Sequence, residues 1–193
     1  MQAVLSTGYL LYVLLPLWLA AGFADWLCHR RTDIAHTSGT RESALHLLML
    51  LEVGVPLQAA LFLQINAGLI LLMLVCFLAH ELTALWDVSM AVQQRRVSPI
   101  EQHVHSFLEL IPFMAISVVC LLHWDQASAL LPGQWERAQF ELRRKEPALP
   151  DAYVVGIITA TLLLSVLPYL EELLRCHRAA RRHQPPNLEV HRP

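Results

Sequence analysis

Long stretches without a charged side chain dominate the pattern of this sequence. Residues 1–24 contain none, and residues 53–79 contain none. A helix needs about 20 apolar residues to cross the hydrocarbon core of a bilayer. Five segments meet this criterion: Leu5–Trp26, Ser43–Leu63, Leu69–Trp86, Val104–Trp124 and Tyr153–Tyr169. The sequence therefore predicts an all-α fold, an integral membrane bundle of five transmembrane helices.

The connections and ends of these segments support the same interpretation. Only Gln64–Gly68 separates the second segment from the third, which predicts a tight helical hairpin. Tyr and Trp residues lie near the proposed ends, as in interfacial belts. No Lys or Arg precedes Arg30, so we expect the first segment to be a retained anchor, not a signal peptide. We predict a transmembrane domain over residues 1–174 and a basic tail over residues 175–193.

The distribution of basic residues predicts the orientation. One face of the bundle carries ten arginines, in the 29–42 loop, the 87–103 loop and the tail, and the other face carries four basic residues. The positive-inside rule places the richer face in the cytoplasm. The N-terminus is then outside, the C-terminus is cytoplasmic, and the 125–150 loop is external, with a short surface helix expected over residues 134–146. The bacterial inner membrane is the location we expect.

Composition excludes several classes of protein. Hydrophobic residues make up 55% and charged residues 16%, whereas soluble domains carry about a quarter charged residues. A soluble globular domain and a disordered chain are therefore both disfavoured. The net charge of −2 gives no basic field for a nucleic-acid partner. The four cysteines show no C-x-x-C spacing, which argues against a disulfide framework or a cysteine zinc site.

Histidines and carboxylates collect at the predicted cytoplasmic ends of the helices. Asp25 and His29, like Glu42 and His46, are four residues apart and share a helix face. His80 and Asp87 are seven apart, and Glu101, His105 and Glu109 form a row at four-residue spacing. Four helices thus each offer an imidazole and a carboxylate on one stripe, the pattern by which helix bundles build di-metal sites.

The depth of these groups strengthens the metal hypothesis, because an uncompensated carboxylate inside a membrane costs several kcal/mol. No Lys or Arg lies within the predicted spans, so protons or metal ions are the available cations. Each histidine could instead be an ordinary packed polar residue, and Glu52 could be a protonated carboxyl that hydrogen bonds to another helix. His103 and His105 are two residues apart, so they cannot both face inward on one helix. The predicted ligands are His46, His80, His105, Glu109, Asp87, Glu42, His29, Asp25, Glu101, His103 and Glu52.

The ligand types narrow the metal. Imidazole and carboxylate without thiolate suit iron, manganese or zinc. More than four candidate ligands indicate two metal ions, and we expect iron. A di-iron centre could activate O2 beside lipid acyl chains, whereas two zinc or manganese ions would activate water for hydrolysis.

The histidine-rich leaflet resembles the layout of the integral-membrane di-iron oxygenases, namely the fatty-acid hydroxylases, desaturases and alkane hydroxylases. Those families carry H-x-x-H-H clusters, which this chain lacks, so none of their ligand positions is transferred. The runs 25–30, 80–87 and 101–109 look like those of a family of small bacterial five-helix membrane proteins. That likeness covers most of the chain and implies no activity.

Three functions remain open at this point. The first is a di-metal oxidoreductase that acts on a lipid-like or hydrophobic substrate, with an electron donor and membrane lipids as partners. The second is a b-type haem protein exchanging electrons with quinone, with His46 and His105 as axial ligands. The third is a non-enzymatic role in proton or metal permeation or in a larger complex. Phosphate-binding loops and the serine nucleophile elbow are absent from the sequence.

Overall fold

The computed structural model describes Gln2 to Arg182 and is all-helical over that range. All five predicted spans are confirmed as helices long and apolar enough to cross a membrane. In chain order the helices are α1 (Ala3–Arg31), α2 (Gly39–Phe62), α3 (Ala67–Gln94), α4 (Pro99–Leu122), the short α5 (Trp124–Ala129) and α6 (Asp151–Arg182).

The outward faces of the long helices are apolar. On α3, Leu78, Leu82 and Leu85 are 62%, 69% and 67% exposed, and they recur at helical spacing on one side. A contiguous apolar surface of this kind is stable only against lipid or another apolar surface. Together with five helices long and apolar enough to cross a bilayer, this surface indicates a membrane protein.

The helices extend beyond the predicted spans at one end of the bundle. α3 continues from Trp86 to Gln94, and α4 begins at Pro99 because Ser98 forms a capping box with Glu101. α6 continues to Arg182, eight residues into the segment that we expected to be a tail, with Cys176 buried on it. The remainder of that predicted tail, residues 183–193, lies outside the described residues.

Two prolines follow wide helical turns. The π-helical turn Leu10–Leu14 ends two residues before Pro16, and the turn Leu162–Val166 ends two residues before Pro168. A proline cannot donate to the carbonyl four residues earlier, and a wide turn is one way in which a helix accommodates the missing bond.

Hydrogen bonds between helices fix their relative directions. α2 and α3 form the predicted hairpin, and Asn66 caps α3 by accepting from the Leu69 amide. α1 and α6 run in the same direction, because Tyr153 Oη donates to Leu11 O at 2.8 Å and Tyr169 Oη donates to Gly22 O at 3.2 Å. The polar ends of α1, the start of α2 and the end of α6 therefore meet at one end of the bundle.

The helix expected over residues 134–146 is a wrong prediction. Only the single turn Trp135–Arg137 is helical there, and the following chain is extended. The Gln64 amide donates to Arg143 O and the Gly68 amide to Gln139 O, so the loop binds exposed backbone groups of the α2–α3 hairpin instead of its own. We call residues 134–150 the strap. It covers the opposite end of the bundle from the polar helix ends.

Candidate metal centre

Five helices bring histidines and carboxylates together in the interior at one end of the bundle. Seven of the eleven predicted ligands meet there, along with one carboxylate that was not among them. The members of this group, which we call the candidate centre, are Asp25, His29, Glu42, His46, Asp87, Glu101, His105 and Glu172.

Glu172 organises the middle of the candidate centre. Its side chain is fully buried, and its two oxygens each contact one imidazole. His29 Nδ1 lies 2.9 Å from Oε2, and His46 Nδ1 lies 2.7 Å from Oε1. The two rings are stacked, with centroids 4.2 Å apart and planes 12° apart. If each Nδ1 donates to this carboxylate, each Nε2 has a free lone pair, as in the carboxylate–histidine–metal arrangement of metalloproteins.

The Nε2 atom of His29 points to one group of donors. It lies 3.4 Å from Asp25 Oδ1 and 3.6 Å from Glu101 Oε1. His105 Nε2 lies 2.8 Å from the same Asp25 oxygen. That oxygen has no hydrogen-bond partner among the described residues in spite of the short distance, so the contact is not aligned as a hydrogen bond.

The Nε2 atom of His46 points to a second group. It lies 3.5 Å from Asp87 Oδ2 and 4.0 Å from Glu42 Oε1. Asp87 is 2% exposed, and its other oxygen, Oδ1, has no hydrogen-bond partner among residues 2–182. The two groups are adjacent, because donors of His29, Glu42 and His46 all lie within 4.8 Å of one another.

Three of these distances, His29 to Asp25, His105 to Asp25 and His46 to Asp87, are close to those of atoms that share a metal ion, whereas the contacts of His29 with Glu101 and of His46 with Glu42 are longer. With metal–nitrogen and metal–oxygen bonds of about 2.0–2.2 Å, two donors on one ion are roughly 2.9–3.5 Å apart. Neither His29 Nε2 nor His46 Nε2 has a hydrogen-bond partner within the described chain. A buried polar atom without a partner is rare and calls for an explanation. Several such atoms converge here, in two groups of side chains that could each hold a metal ion.

Arg95 corrects the expectation that no basic side chain reaches the buried acids. It follows the last residue of α3, and its guanidinium turns inward to hydrogen bond with Glu42 and Glu101. Burial alone lowers the pKa of Arg95, but the hydrogen bonds and charges of these two carboxylates raise it overall, so the side chain remains a cation. The single positive charge of Arg95 is therefore paired with both Glu42 and Glu101.

Charge in the candidate centre is far from balanced by protein groups. Five carboxylates lie there, on Asp25, Glu42, Asp87, Glu101 and Glu172, and all are at most 2% exposed. Counted formally as five carboxylates against the one positive charge of Arg95, the group carries four negative charges when the imidazoles are neutral. Burying unpaired charge is strongly unfavourable. Two divalent ions would neutralise the group, whereas three protonated histidines would leave one negative charge.

The other four predicted ligands lie elsewhere. His103 is exposed and packs edge-on against Phe107, because two residues of helix turn it away from the face of His105. Glu109 is half-buried beside a small cavity. His80 and Glu52 form a separate deeper pair, with Nδ1 3.9 Å from Oε2, and Thr83 donates to Glu52 Oε1 at 2.9 Å.

Three participants are not among the predicted ligands. The sequence places Glu172 at the end of the fifth helix, beyond the predicted span that stops at Tyr169, and Arg95 in the 87–103 loop, beyond the span that stops at Trp86. Tyr169 was assigned to an interfacial belt, yet it is buried and its hydroxyl lies 3.2 Å from Asp25 Oδ2. One feature of the sequence points to Glu172: it lies three residues after Tyr169, so it shares a helix face with Tyr169 if the fifth helix continues beyond the predicted span.

A cavity of about 50 Å³ adjoins the candidate centre and is lined by its residues Asp25, His46, Asp87 and His105. That volume accommodates a few small molecules such as water or O2. The candidate centre is thus buried and adjoins space for small molecules.

A scan against protein-family models, and searches of curated proteins and of solved structures, found no match to this chain.

Proposed function

We propose that this protein is a membrane-embedded di-metal protein, with iron as the metal, that acts as an oxidoreductase on a hydrophobic substrate at the cytoplasmic leaflet. One ion would be held by His29, Asp25 and His105, and the other by His46, Asp87 and Glu42. Glu172 would orient both imidazoles from behind. Bound iron would supply O2 activation or electron transfer, chemistry that the side chains themselves cannot perform.

The pair of stacked histidines carries this proposal. Parallel rings 4.2 Å apart, held by one carboxylate, direct two Nε2 lone pairs side by side. Ions bound in line with these lone pairs would be about 4 Å apart, close to the separation of two-metal sites. The charge imbalance of the surrounding carboxylates supports the same number of ions.

The alternatives explain less of the geometry. A haem between His46 and His105 would need room for a porphyrin, and the adjoining cavity is about 50 Å³. A permeation path would need polar groups across the bundle, but the second cavity, toward the strap, is mostly apolar. A proton-binding cluster of three imidazolium ions is the strongest alternative. It would hold three protons and no metal, whereas the proposed centre holds two metal ions per chain.

Metal counting tests the proposal. The purified protein, loaded anaerobically with Fe²⁺ and freed of loose ions, should retain two irons per chain by elemental analysis. Parallel loading with Mn²⁺ and Zn²⁺ establishes which metal binds most tightly. A chain that retains no metal under any loading, and whose histidines instead titrate by NMR, would establish the proton cluster and overturn the proposal.

The chain offers a matched control. His105→Ala should remove at least one ion per chain, since His105 Nε2 is within 2.8 Å of Asp25 Oδ1. His103→Ala changes the same residue type two positions away on an exposed face and should leave the metal count unchanged. Equal losses in the two variants would show that metal is bound at the surface and not in the candidate centre.

The redox assignment needs its own test. The iron-loaded protein should consume O2 in the presence of a reductant, and its optical spectrum should change between reduced and oxidised states. A protein that holds two ions but shows neither change would retain the metal centre and lose the oxidoreductase assignment.

A further inference from the structure

Two cavities meet inside the bundle at Trp18. The smaller, about 50 Å³, reaches the candidate centre, and the larger, about 200 Å³, occupies the half of the bundle toward the strap. Trp18 lines both. His80 lines the smaller cavity, Glu52 lines the larger one, and the two side chains approach each other to 3.9 Å.

Three side chains at this junction carry polar atoms without a hydrogen-bond partner. Trp18 Nε1, both ring nitrogens of His80 and Glu52 Oε2 are buried and make no hydrogen bond within the described residues. Trp18 is 7% exposed and His80 is 4% exposed. A distance of 3.9 Å between His80 Nδ1 and Glu52 Oε2 is too long for a hydrogen bond, so the two side chains do not satisfy each other.

The larger cavity suits an unbranched apolar chain. Its walls are mostly aliphatic, with Leu14, Leu57 and Ile111 among the lining residues. Because it touches both Glu52 and Ala60 of α2, it extends at least about 12 Å along the bundle. Apolar cavities of this kind stay dry and take up apolar ligands.

We infer that this junction and the larger cavity bind a long-chain primary alcohol, with its hydroxyl among Trp18, His80 and Glu52 and its alkyl chain in the larger cavity. A hydroxyl can accept from Trp18 Nε1 and donate to Glu52 Oε2, so one atom satisfies a donor and an acceptor. A carboxylate head would lie against Glu52. The one lysine lining the larger cavity, Lys145, contacts Ala60 O, at the level of α2 farthest from Glu52.

The inference gives the proposed function a substrate class. A head group at Trp18 and His80 lies on the wall of the small cavity that also touches Asp25 and Asp87. That the alcohol is a substrate rests on the proposed function, whereas its binding does not require metal.

Native mass spectrometry of the metal-free protein tests the binding. Released from detergent with 1-dodecanol, the full chain should carry one alcohol. The methyl ether of dodecanol keeps the chain and the oxygen but cannot donate a hydrogen bond to Glu52. Its affinity should be lower than that of dodecanol by about tenfold or more. Dodecanoate should also bind more weakly. Equal binding of alcohol and ether, or tighter binding of dodecanoate, would overturn the inference.

Two substitutions locate the head group. Trp18→Phe removes only the indole N–H and the second ring, and it should weaken dodecanol binding by about two- to tenfold, the worth of one hydrogen bond. Trp124→Phe, at a 60% exposed position, is the matched control. His80→Phe keeps an aromatic ring without ring nitrogens and should weaken binding by a similar factor.

The outcomes separate this inference from the proposed function. If Trp18→Phe binds dodecanol as tightly as Trp124→Phe, the head group lies elsewhere and the inference fails. If the protein binds dodecanol but retains no metal, the proposed function fails and the alcohol site stands. If it retains two ions and binds neither dodecanol nor its ether, the metal centre stands without this ligand.

Discussion

At one end of the bundle the interior is filled with carboxylates and imidazoles, and at the other end it is apolar and covered by the strap. The first, the ligand end, holds five buried acids with one arginine. The second, the strap end, surrounds an apolar cavity of about 200 Å³ and is covered by backbone hydrogen bonds from residues 134–150. Membrane helices can bury apolar groups without cost, but buried charge needs an exact counter-charge. The ligand end is therefore where function is expected, and the strap end where stability is expected.

The largest effect should come from removing Arg95, the arginine that pairs with buried acids of the ligand end. Arg95→Met leaves Glu42 and Glu101 buried without their arginine, and breaking a buried ion pair costs about 3–5 kcal/mol. Equilibrium unfolding in mixed micelles should show a loss of this size. Arg96→Met, at the exposed neighbouring position, should change stability little.

A rescue variant separates lost charge balance from lost packing. Adding Glu42→Gln and Glu101→Gln to Arg95→Met removes the unpaired charges and should recover much of the stability. Failure to recover would mean that Arg95 acts through the packing of its side chain, and the contrast in charge between the two ends would be weaker than we argue.

Glu172 tests whether the ligand end is built to hold metal. In Glu172→Gln one oxygen is replaced by a donor, so only one of the two Nδ1–H groups can be accepted. Loss of such a supporting partner weakens metal binding about 10–100-fold. Chelator competition measures the change, and Glu171→Gln, whose carboxylate accepts from Trp26 at the rim, is the control. Equal metal affinities in the two variants would show that Glu172 does not support metal binding.

The strap end should respond in stability without a change in metal content. A Cβ added at Gly68 would lie 3.1 Å from Phe140 Cδ1 and 3.3 Å from its Cα, so Gly68→Ala should cost about 1–3 kcal/mol. Gly54→Ala meets open space and should be neutral or gain up to about 1 kcal/mol. A loss of bound metal in Gly68→Ala would show that the two ends are coupled.

The same contrast determines how far the sequence predicts the molecule. Apolar length identified all five spans, and four-residue spacing identified Asp25 beside His29 and Glu42 beside His46. The same spacing predicted Glu101 and Glu109 as partners of His105, which instead contacts Asp25 of α1. The hydropathy pattern placed the ends of α3 and α6 too early. A helix end that is polar because it lines the interior of the bundle has the same hydropathy as one that lies in water. Arg95 and Glu172 were missed for that reason.

The strap and the deeper pair were missed for other reasons. The charged and polar residues of the strap favoured a surface helix over 134–146. Its backbone instead accepts hydrogen bonds from the amides of Gln64 and Gly68, and a tertiary contact of this kind cannot be deduced from the local sequence pattern. His80 shares a helix face with Asp87, and only its depth, two turns away along α3, separates it from the candidate centre.

The smallest effect concerns Lys145 at the strap end. Burial lowers its pKa, so the unfolded chain binds more protons than the folded one between the lowered pKa and the ordinary value near 10.4. The free energy of unfolding should therefore rise with pH across that window, because folding favours the neutral amine. Lys145→Met should reduce this slope, and Arg144→Met, at an exposed position, should retain it. An unchanged slope in Lys145→Met would mean that the amine reaches water at the rim, and the strap end would then be less completely covered than its backbone hydrogen bonds indicate.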